Sequence, residues 1–473
     1  MTHIIRQQHL HVALNGTESD GLALQRWLPG LCDHVLRPAI ERALERCAPS
    51  GGHVYVERLE IDAGTLTLER LESDLPESVE RALEQVLREQ LSQGGCSPTS
   101  VSGNIRHMTT QHSVHEAFLY FLTTGTLPWS FRLPAGKSLE QVMLSCWQEA
   151  SKPGVSLPST FDEVRRLLDS PTVRERLIRQ CSSVFLETLL SRISPEAAAI
   201  IAGVLEILRD SEMSLAGLKD FERRLWERVL SNIAAGRVSS PSSLVGEAWR
   251  SLLVTEAQQA GLGRVLEHHW PGATNKAQTS GMTDTHPTPS RLPASQHTPI
   301  DRGEHPEARE GIYLDSAGLV LLHPFLPRLF SLLGFVVDDR LIRPERALCL
   351  LHYVATGQTV APEYALVLPK ILCHVPLDWP VESDVELTTA EQEEAVALLE
   401  SVIRHWEALR NTSPDGLRGT FLVRAGKVSL RDDGDWVLQV EANTADILLD
   451  QLPWGISMIK LPWMRTMLWV EWR

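Results

Sequence analysis

Between Pro271 and Gly311 the chain carries six prolines (Pro271, Pro287, Pro289, Pro293, Pro299 and Pro306), many Thr, Ser and His, and no Phe, Trp or Tyr. Such a composition buries too little apolar surface to offset the entropy of ordering it, so the stretch reads as a disordered or extended linker. Whatever folds must do so on either side of it. With 473 residues in all, two or three domains with their own cores are accessible, since one core rarely grows beyond roughly 250 to 300 residues.

The flanking patterns predict a predominantly helical α+β protein in four parts. Residues 1–93 read as a small strand and helix unit. Ile4, Leu10, Val12 and Leu14 suggest a first strand ending at Asn15-Gly16, and Val54, Val56, Leu59 and Ile61 a second, with a return strand through Leu66 and Leu68 after Gly64. Between them, Leu24, Leu28, Leu31, Val35, Ile40 and Leu44 share a helical face, and Pro29 and Pro38 imply a kink or a break. Asp74 with Glu77 reads as a capping box that opens a further helix. Residues 94–112 are rich in Gly, Ser and Thr and read as a linker.

Residues 113–270 form the second part, a helical array. Ser170-Pro171, Ser194-Pro195 and Ser240-Pro241 each place a capping residue before proline at the first helical position. The linker 271–311 is the third. The fourth, residues 312–473, is a mostly helical domain with a hairpin predicted from Val428 and Leu430, the Asp433-Gly434 turn, then Trp436, Leu438 and Val440. Thr388 and Glu391 form a second capping box there. Tyr120–Gly125 and His352–Gly357 echo each other, each an aromatic helix ending at Thr-Gly as a glycine cap would end it.

A net charge of −15 disfavours nucleic acid as a partner, because phosphate backbones reward Lys and Arg surfaces. No apolar stretch of signal-peptide length follows Met1. The seven cysteines are widely spaced and odd in number, as expected of reduced thiols in a cytoplasmic protein. Ala317–Val337 has the length of a membrane span, but Pro324 and Pro327 interrupt it and Arg328 would cost roughly 2.5 kcal/mol or more in lipid. A buried helix pair is the expectation, without stable membrane insertion.

Each potential active site lacks an essential part. Ala135-Gly136-Lys137-Ser138 resembles the end of a phosphate loop, but Phe131 stands where its first glycine belongs, so Ser138 reads as a helix start. His115-Glu116 lacks the second His of a zinc protease, as position 119 is Leu. His9 and His11 share a strand face without a third ligand, and Cys373-His374 shows no nucleophile and base geometry. No catalytic residue, metal or cofactor is predicted, and the chain does not read as an enzyme.

Four tryptophans fall within the final twenty positions. Aromatic enrichment of this kind marks either a core or the centre of an interface. Trp454, Trp463, Met464, Trp469 and Trp472 are therefore the candidate partner contacts.

This end carries a family resemblance. Gln451–Met464 and Trp469–Arg473, with Gly318–Leu326, Tyr353–Gly357, Trp406–Ser413 and Gly416–Leu422, resemble the C-terminal region of the tape measure family of contractile injection systems, phage-tail-like particles that drive a tube through a membrane. A second block resembles the family's N-terminal region: His3–Ile5, Leu24–Pro38, Arg58–Gly64 and Thr124–Trp129, with Ala63 where a larger apolar residue is expected. The resemblance implies a structural assembly protein that sets inner tube and sheath length from within the tube lumen. It also implies contacts with tube, hub or baseplate proteins and a homo-oligomer of three or six copies. Assembly would take place in the cytoplasm before the protein occupies the particle. The alternative is an assembly chaperone or scaffold that binds the same subunits without measuring length.

Overall fold

The computed structural model describes residues 3, 5, 8–48, 53–93, 105–134, 136–150, 160–209, 215–251, 256–274, 308, 309 and 311–472. It divides the chain into two units, Met1–Ala117 with Trp129–Lys137, and Phe118–Pro128 with Ser138–Arg473. The first unit is built on two long helical stretches that run parallel, with Arg42 against Glu80 and Arg46 against Glu84. Helix α1 (Glu18–Leu31) starts from a reciprocal cap, in which the Thr17 amide donates to the Asp20 carboxylate and the Asp20 amide to the Thr17 hydroxyl. A π-helical turn over Cys32–Leu36 links it to α2 (Arg37–Cys47). That wide turn answers the expected break, because it sets Pro38 in the first turn of α2, where its missing N–H leaves no bond unmade.

Strand β1 (His53–Val56) precedes α3 (Leu71–Gln93), whose Leu75 and Val79 pack on Leu31 and Leu36, and whose Leu83 and Leu87 pack on Ala43. The helix starts before the expected Asp74 cap. Strand β1 pairs antiparallel with β2 (Ile105–Met108), a segment read from sequence as linker. The expected first strand, the stretch through Leu10, Val12 and Leu14, is irregular and exposed over residues 8–15, so those three apolar residues gain no burial by pairing. Ile4 lies outside the described residues. Gly64 turns with φ +78° and its amide donates to Asp62, but the chain beyond enters a 3-10 turn at Leu68–Arg70 and not a return strand.

Helix α4 (Thr110–Thr124) passes from the first unit into the second, and α5 (Leu139–Ala150), α6 (Thr160–Leu167), α7 (Pro171–Gln180), α8 (Ser183–Ile193), α9 (Pro195–Arg209), α10 (Leu215–Ala234), α11 (Pro241–Arg250) and α12 (Glu256–His269) follow. The three Ser-Pro pairs open α7, α9 and α11 as their spacing predicts. Trp147 stacks on Phe185 at 4.9 Å, and Phe118 meets the same ring edge-on at 5.6 Å. Of the proline-rich linker, residues 275–307 and 310 lie outside the described residues, as do 94–104 of the shorter one.

The C-terminal region mixes short elements: β3 (Ile312–Leu314), a 3-10 stretch Ala317–Leu322, α13 (Leu326–Leu332), β4 (Val336–Val337), β5 (Arg340–Leu341), α14 (Pro344–Thr356), α15 (Val367–Leu372), α16 (Thr389–His405), α17 (Pro414–Leu417), β6 (Gly426–Leu430), β7 (Trp436–Val440), β8 (Met458–Ile459) and β9 (Leu468–Trp472). The capping box opens α16 as predicted, with the Glu391 amide on the Thr388 hydroxyl and the Thr388 amide on the Glu391 carboxylate. Strands β6 and β7 form the predicted hairpin. The sheet order is β3-β6-β7-β9-β8, with β7 and β9 parallel and the other neighbours antiparallel. Fold class is therefore predominantly helical α+β, as read from the sequence.

The Thr-Gly echo is reproduced in detail. Gly125 and Gly357 adopt φ of +78° and +75°, and their amides bond Phe121 O and Tyr353 O. The Thr124 and Thr356 hydroxyls each donate four residues back, to Tyr120 O and His352 O. An arginine guanidinium then caps the carbonyl three residues before each glycine, Arg176 on Leu122 and Arg418 on Val354.

The apolar run Ala317–Val337 contributes a 3-10 stretch and one short helix, where two helices were expected, because Pro324 and Pro327 fall at the join. Every residue of Ala317–Leu322 is buried. Gly318 is the tightest point: a Cβ there would stand 1.7 Å from the Phe421 carbonyl oxygen. Both partners are backbone, so nothing yields without moving the Arg418–Leu422 turn. Gly318→Ala is expected to cost about 3 kcal/mol or more of stability, read as a lowered denaturation midpoint by tryptophan fluorescence. An unchanged midpoint would contradict the close backbone approach.

Candidate functional site

The tryptophan-rich end is woven into the C-terminal core. Trp463 is buried, stacks on Phe330 at 5.3 Å and donates its indole N–H to Leu372 O at 2.8 Å. Met464 is buried beside it, its sulfur 3.4 Å from the Leu461 amide. Trp472 is buried on the inward face of β9, with the Arg424 guanidinium 5.5 Å from its ring centroid. Arg424 forks onto Asp446 at 2.7 and 3.0 Å, and the same carboxylate accepts the Asn443 amide at 2.8 Å. Burial works to raise the Asp446 pKa, but the hydrogen bonds from Arg424 and Asn443 outweigh it and hold the carboxyl below its ordinary value.

Trp454 and Trp469 keep partial exposure. Trp454 donates to Leu321 O at 3.0 Å, and its ring meets Phe325 edge-on at 5.2 Å, while Phe325 also meets His405 edge-on at 5.7 Å. Trp469 donates to the Asp435 carboxylate at 3.2 Å. In register across the sheet, Trp469 lies between Val437 on β7 and the exposed Met458 on β8, forming an apolar row on the face turned away from the core. The neighbouring row is polar: Lys427, Gln439 and Glu471, with the Gln439 amide donating to Glu471 at 2.8 Å.

The sequence candidates for chemistry fall far apart. Ser138 caps α5, its hydroxyl accepting from Gln141 N while its own amide donates to the Gln141 side chain. His115 is buried in α4, and burial lowers its pKa. His9 and His11 are exposed. Cys373 is buried and burial drives its thiol pKa far up, away from the thiolate a nucleophile requires. The adjacent His374 sits at φ +54°. Among the described residues no three His, Cys, Asp or Glu side chains gather as a metal site would need.

One constellation escaped the sequence reading. Arg176 on α7 grips Glu363 with two nitrogens at 3.0 and 3.2 Å, and Lys370 on α15 reaches the same carboxylate at 2.8 Å. Arg176 and Glu363 are fully buried, and Lys370 very nearly so. The remaining donors are met by backbone: Arg176 by Leu122 O and Asp378 O, Lys370 by Leu377 O and Trp379 O. Burial lowers the Lys370 pKa. The available signal was a lone lysine inside the apolar run Val367–Leu372 and an arginine one residue from Leu177.

A family profile described as contractile injection system tape measure protein matches residues 2–472. The chain belongs to that family. No curated protein and no solved structure matches the chain. In this tape measure protein no described helix is long and apolar enough to cross a membrane.

His352, at the C-terminal copy of the Thr-Gly echo, gives the tape measure protein an acid sensitivity. It is buried with Nε2 unpartnered among the described residues, and burial lowers its pKa from 6.5 to about 4 despite a hydrogen bond with the Val360 backbone. The neutral ring's contribution is whole above pH 6.5 and is lost as pH falls toward about 4. The loss amounts to about 3 kcal/mol. His352→Leu should flatten the fall of the urea denaturation midpoint across that range. An equal slope in both proteins would count against a buried neutral His352.

Proposed function

We propose that this protein sets the length of the inner tube, and with it the sheath, from within the tube lumen of a contractile injection particle. What carries this reading is the family match over nearly the whole chain. Three or six copies would assemble in the cytoplasm against tube, hub or baseplate proteins and then occupy the lumen. Of the five side chains expected to meet a partner, Trp454 and Trp469 suit the role, since Trp463, Met464 and Trp472 are spent on the core.

A ruler needs a segment whose reach grows with residue count. One continuous helix would reach about 700 Å, but 28 prolines forbid it. Residues 275–307 drawn out fully reach about 110 Å. A compact body of about 350 residues, by contrast, has a radius of gyration of about 20 Å. The second unit would thus measure length only by opening.

Its folded state favours a second reading, a scaffold that organises tube or baseplate subunits without measuring. Particle length separates the two. Insertions and deletions within 275–307 should change tube length in electron micrographs by about 3 Å per residue. Constant length across the series would sink the ruler and leave the scaffold. Replacing Trp469 and Met458 together with Ser should reduce particle yield while the purified chain keeps its denaturation midpoint. Normal yield would remove the outer sheet row from the partner surface.

A further inference from the structure

The second unit contains two apolar cores. The cluster centred on Leu319, Phe330, Trp406 and Phe421 draws only on residues from Ala308 to Trp472. The helices upstream bury Trp147, Phe185, Leu225 and Trp226, and Trp147 stacks on Phe185 there. Where the two meet, ion pairs and hydrogen bonds join α7 and α10 to the C-terminal region, and no helix of the upstream array packs extensively along an element of that region.

Four ion pairs across the meeting line share one polarity. The array side presents Arg176 and Arg179 from α7, and Lys219 and Arg223 from α10. The C-terminal side answers with Glu363, Glu345, Asp384 and Glu382 in the same order. Side-chain exposure grades along it, from 0% for both members of Arg176–Glu363 to 64% and 53% for Lys219–Asp384. Backbone joins in: the Ser383 amide donates to Arg179 O at 3.2 Å, and Gln180 accepts from the Glu363 amide at 2.8 Å while donating to Val381 O. Phe121 against Tyr364, at 5.9 Å, is an apolar contact on this line.

We propose that this charged seam is a releasable latch, along which the helical array with Phe118–Pro128 parts from the C-terminal region while both apolar cores stay folded. Buried ion pairs suit such a part. Removing charges from water offsets most of their mutual attraction, so they fix one geometry firmly yet recover their hydration when the faces separate. An apolar seam of the same size would close more tightly and open only at the cost of wetting hydrocarbon. Residues 275–307 are long enough, at about 110 Å of contour, to let the faces part without breaking the chain. The latch does not depend on the length-setting role and is tested in solution.

Hydrogen exchange on the full chain reads it. The amides of Glu363 and Ser383 report the seam, and that of Leu438, in the centre of the sheet, reports the C-terminal core. Reversing one face with Glu345→Lys, Glu382→Lys and Asp384→Lys should speed exchange at Glu363 and Ser383 about tenfold or more, with Leu438 unchanged. Adding Arg179→Glu, Lys219→Glu and Arg223→Glu should restore protection. The apolar set Arg176→Met, Glu363→Leu and Lys370→Met should slow exchange at Ser383. Should the reversed chain fail to fold, raising salt from about 0.1 M to 1 M on the unsubstituted chain weakens the outer pairs and should speed Ser383 but not Leu438. Equal acceleration at seam and core, or no response at the seam, would overturn the latch.

Discussion

A carboxylate held without water is the constraint around which the second unit is arranged. Glu363 is fully buried and cannot keep its charge there unless cations and donors surround it. Two cations do so, one from α7 and one from α15, and each fills its remaining hydrogen bonds with carbonyls of the 377–379 loop or of Leu122. The loop path, the end of α4 and the position of α7 are thus mutually fixed. Even the glycine at 125 belongs to this arrangement, since a Cβ there would come within 2.4 Å of the Glu363 carboxylate.

Much of this architecture was legible because it depends on local chemistry. The Ser-Pro starts of α7, α9 and α11, the Thr388–Glu391 box, the Asp433-Gly434 hairpin and the glycine caps at 125 and 357 all follow from bonds made within a few residues. What escaped was non-local. Strand β2 is only four residues long and shows no alternation to read, and its partner is chosen by tertiary position. The exposed alternation at Leu10, Val12 and Leu14 looked like a strand and is not one, because period alone does not supply a buried face. The Arg176–Glu363–Lys370 group is invisible to spacing, joining residues nearly two hundred positions apart.

The tryptophan-rich end shows the same limit from another side. Composition correctly identified it as packed, yet could not divide core from surface. The structure divides it by strand parity: Trp472 and Leu468 point inward from β9, Trp469 outward. Trp454 and Trp463, outside that strand, are tied by indole N–H bonds to carbonyls of the 3-10 stretch and of α15. An aromatic end therefore serves two purposes, closing a core and leaving a short apolar row on the outer sheet face.

The strand order carries a kinetic consequence. Strand β3 pairs with β6 only after more than a hundred intervening residues have found their places, and β9 must enter between β7 and β8 in parallel with the former. Non-local pairings of this kind are slow to form, because chain closure is paid before contacts reward it. Until β9 is seated, β7 and β8 each keep an unpaired edge. The C-terminal region should thus be the last part to mature and the part most exposed to aggregation, so the timing of its closure bears on when a newly made chain becomes competent for assembly.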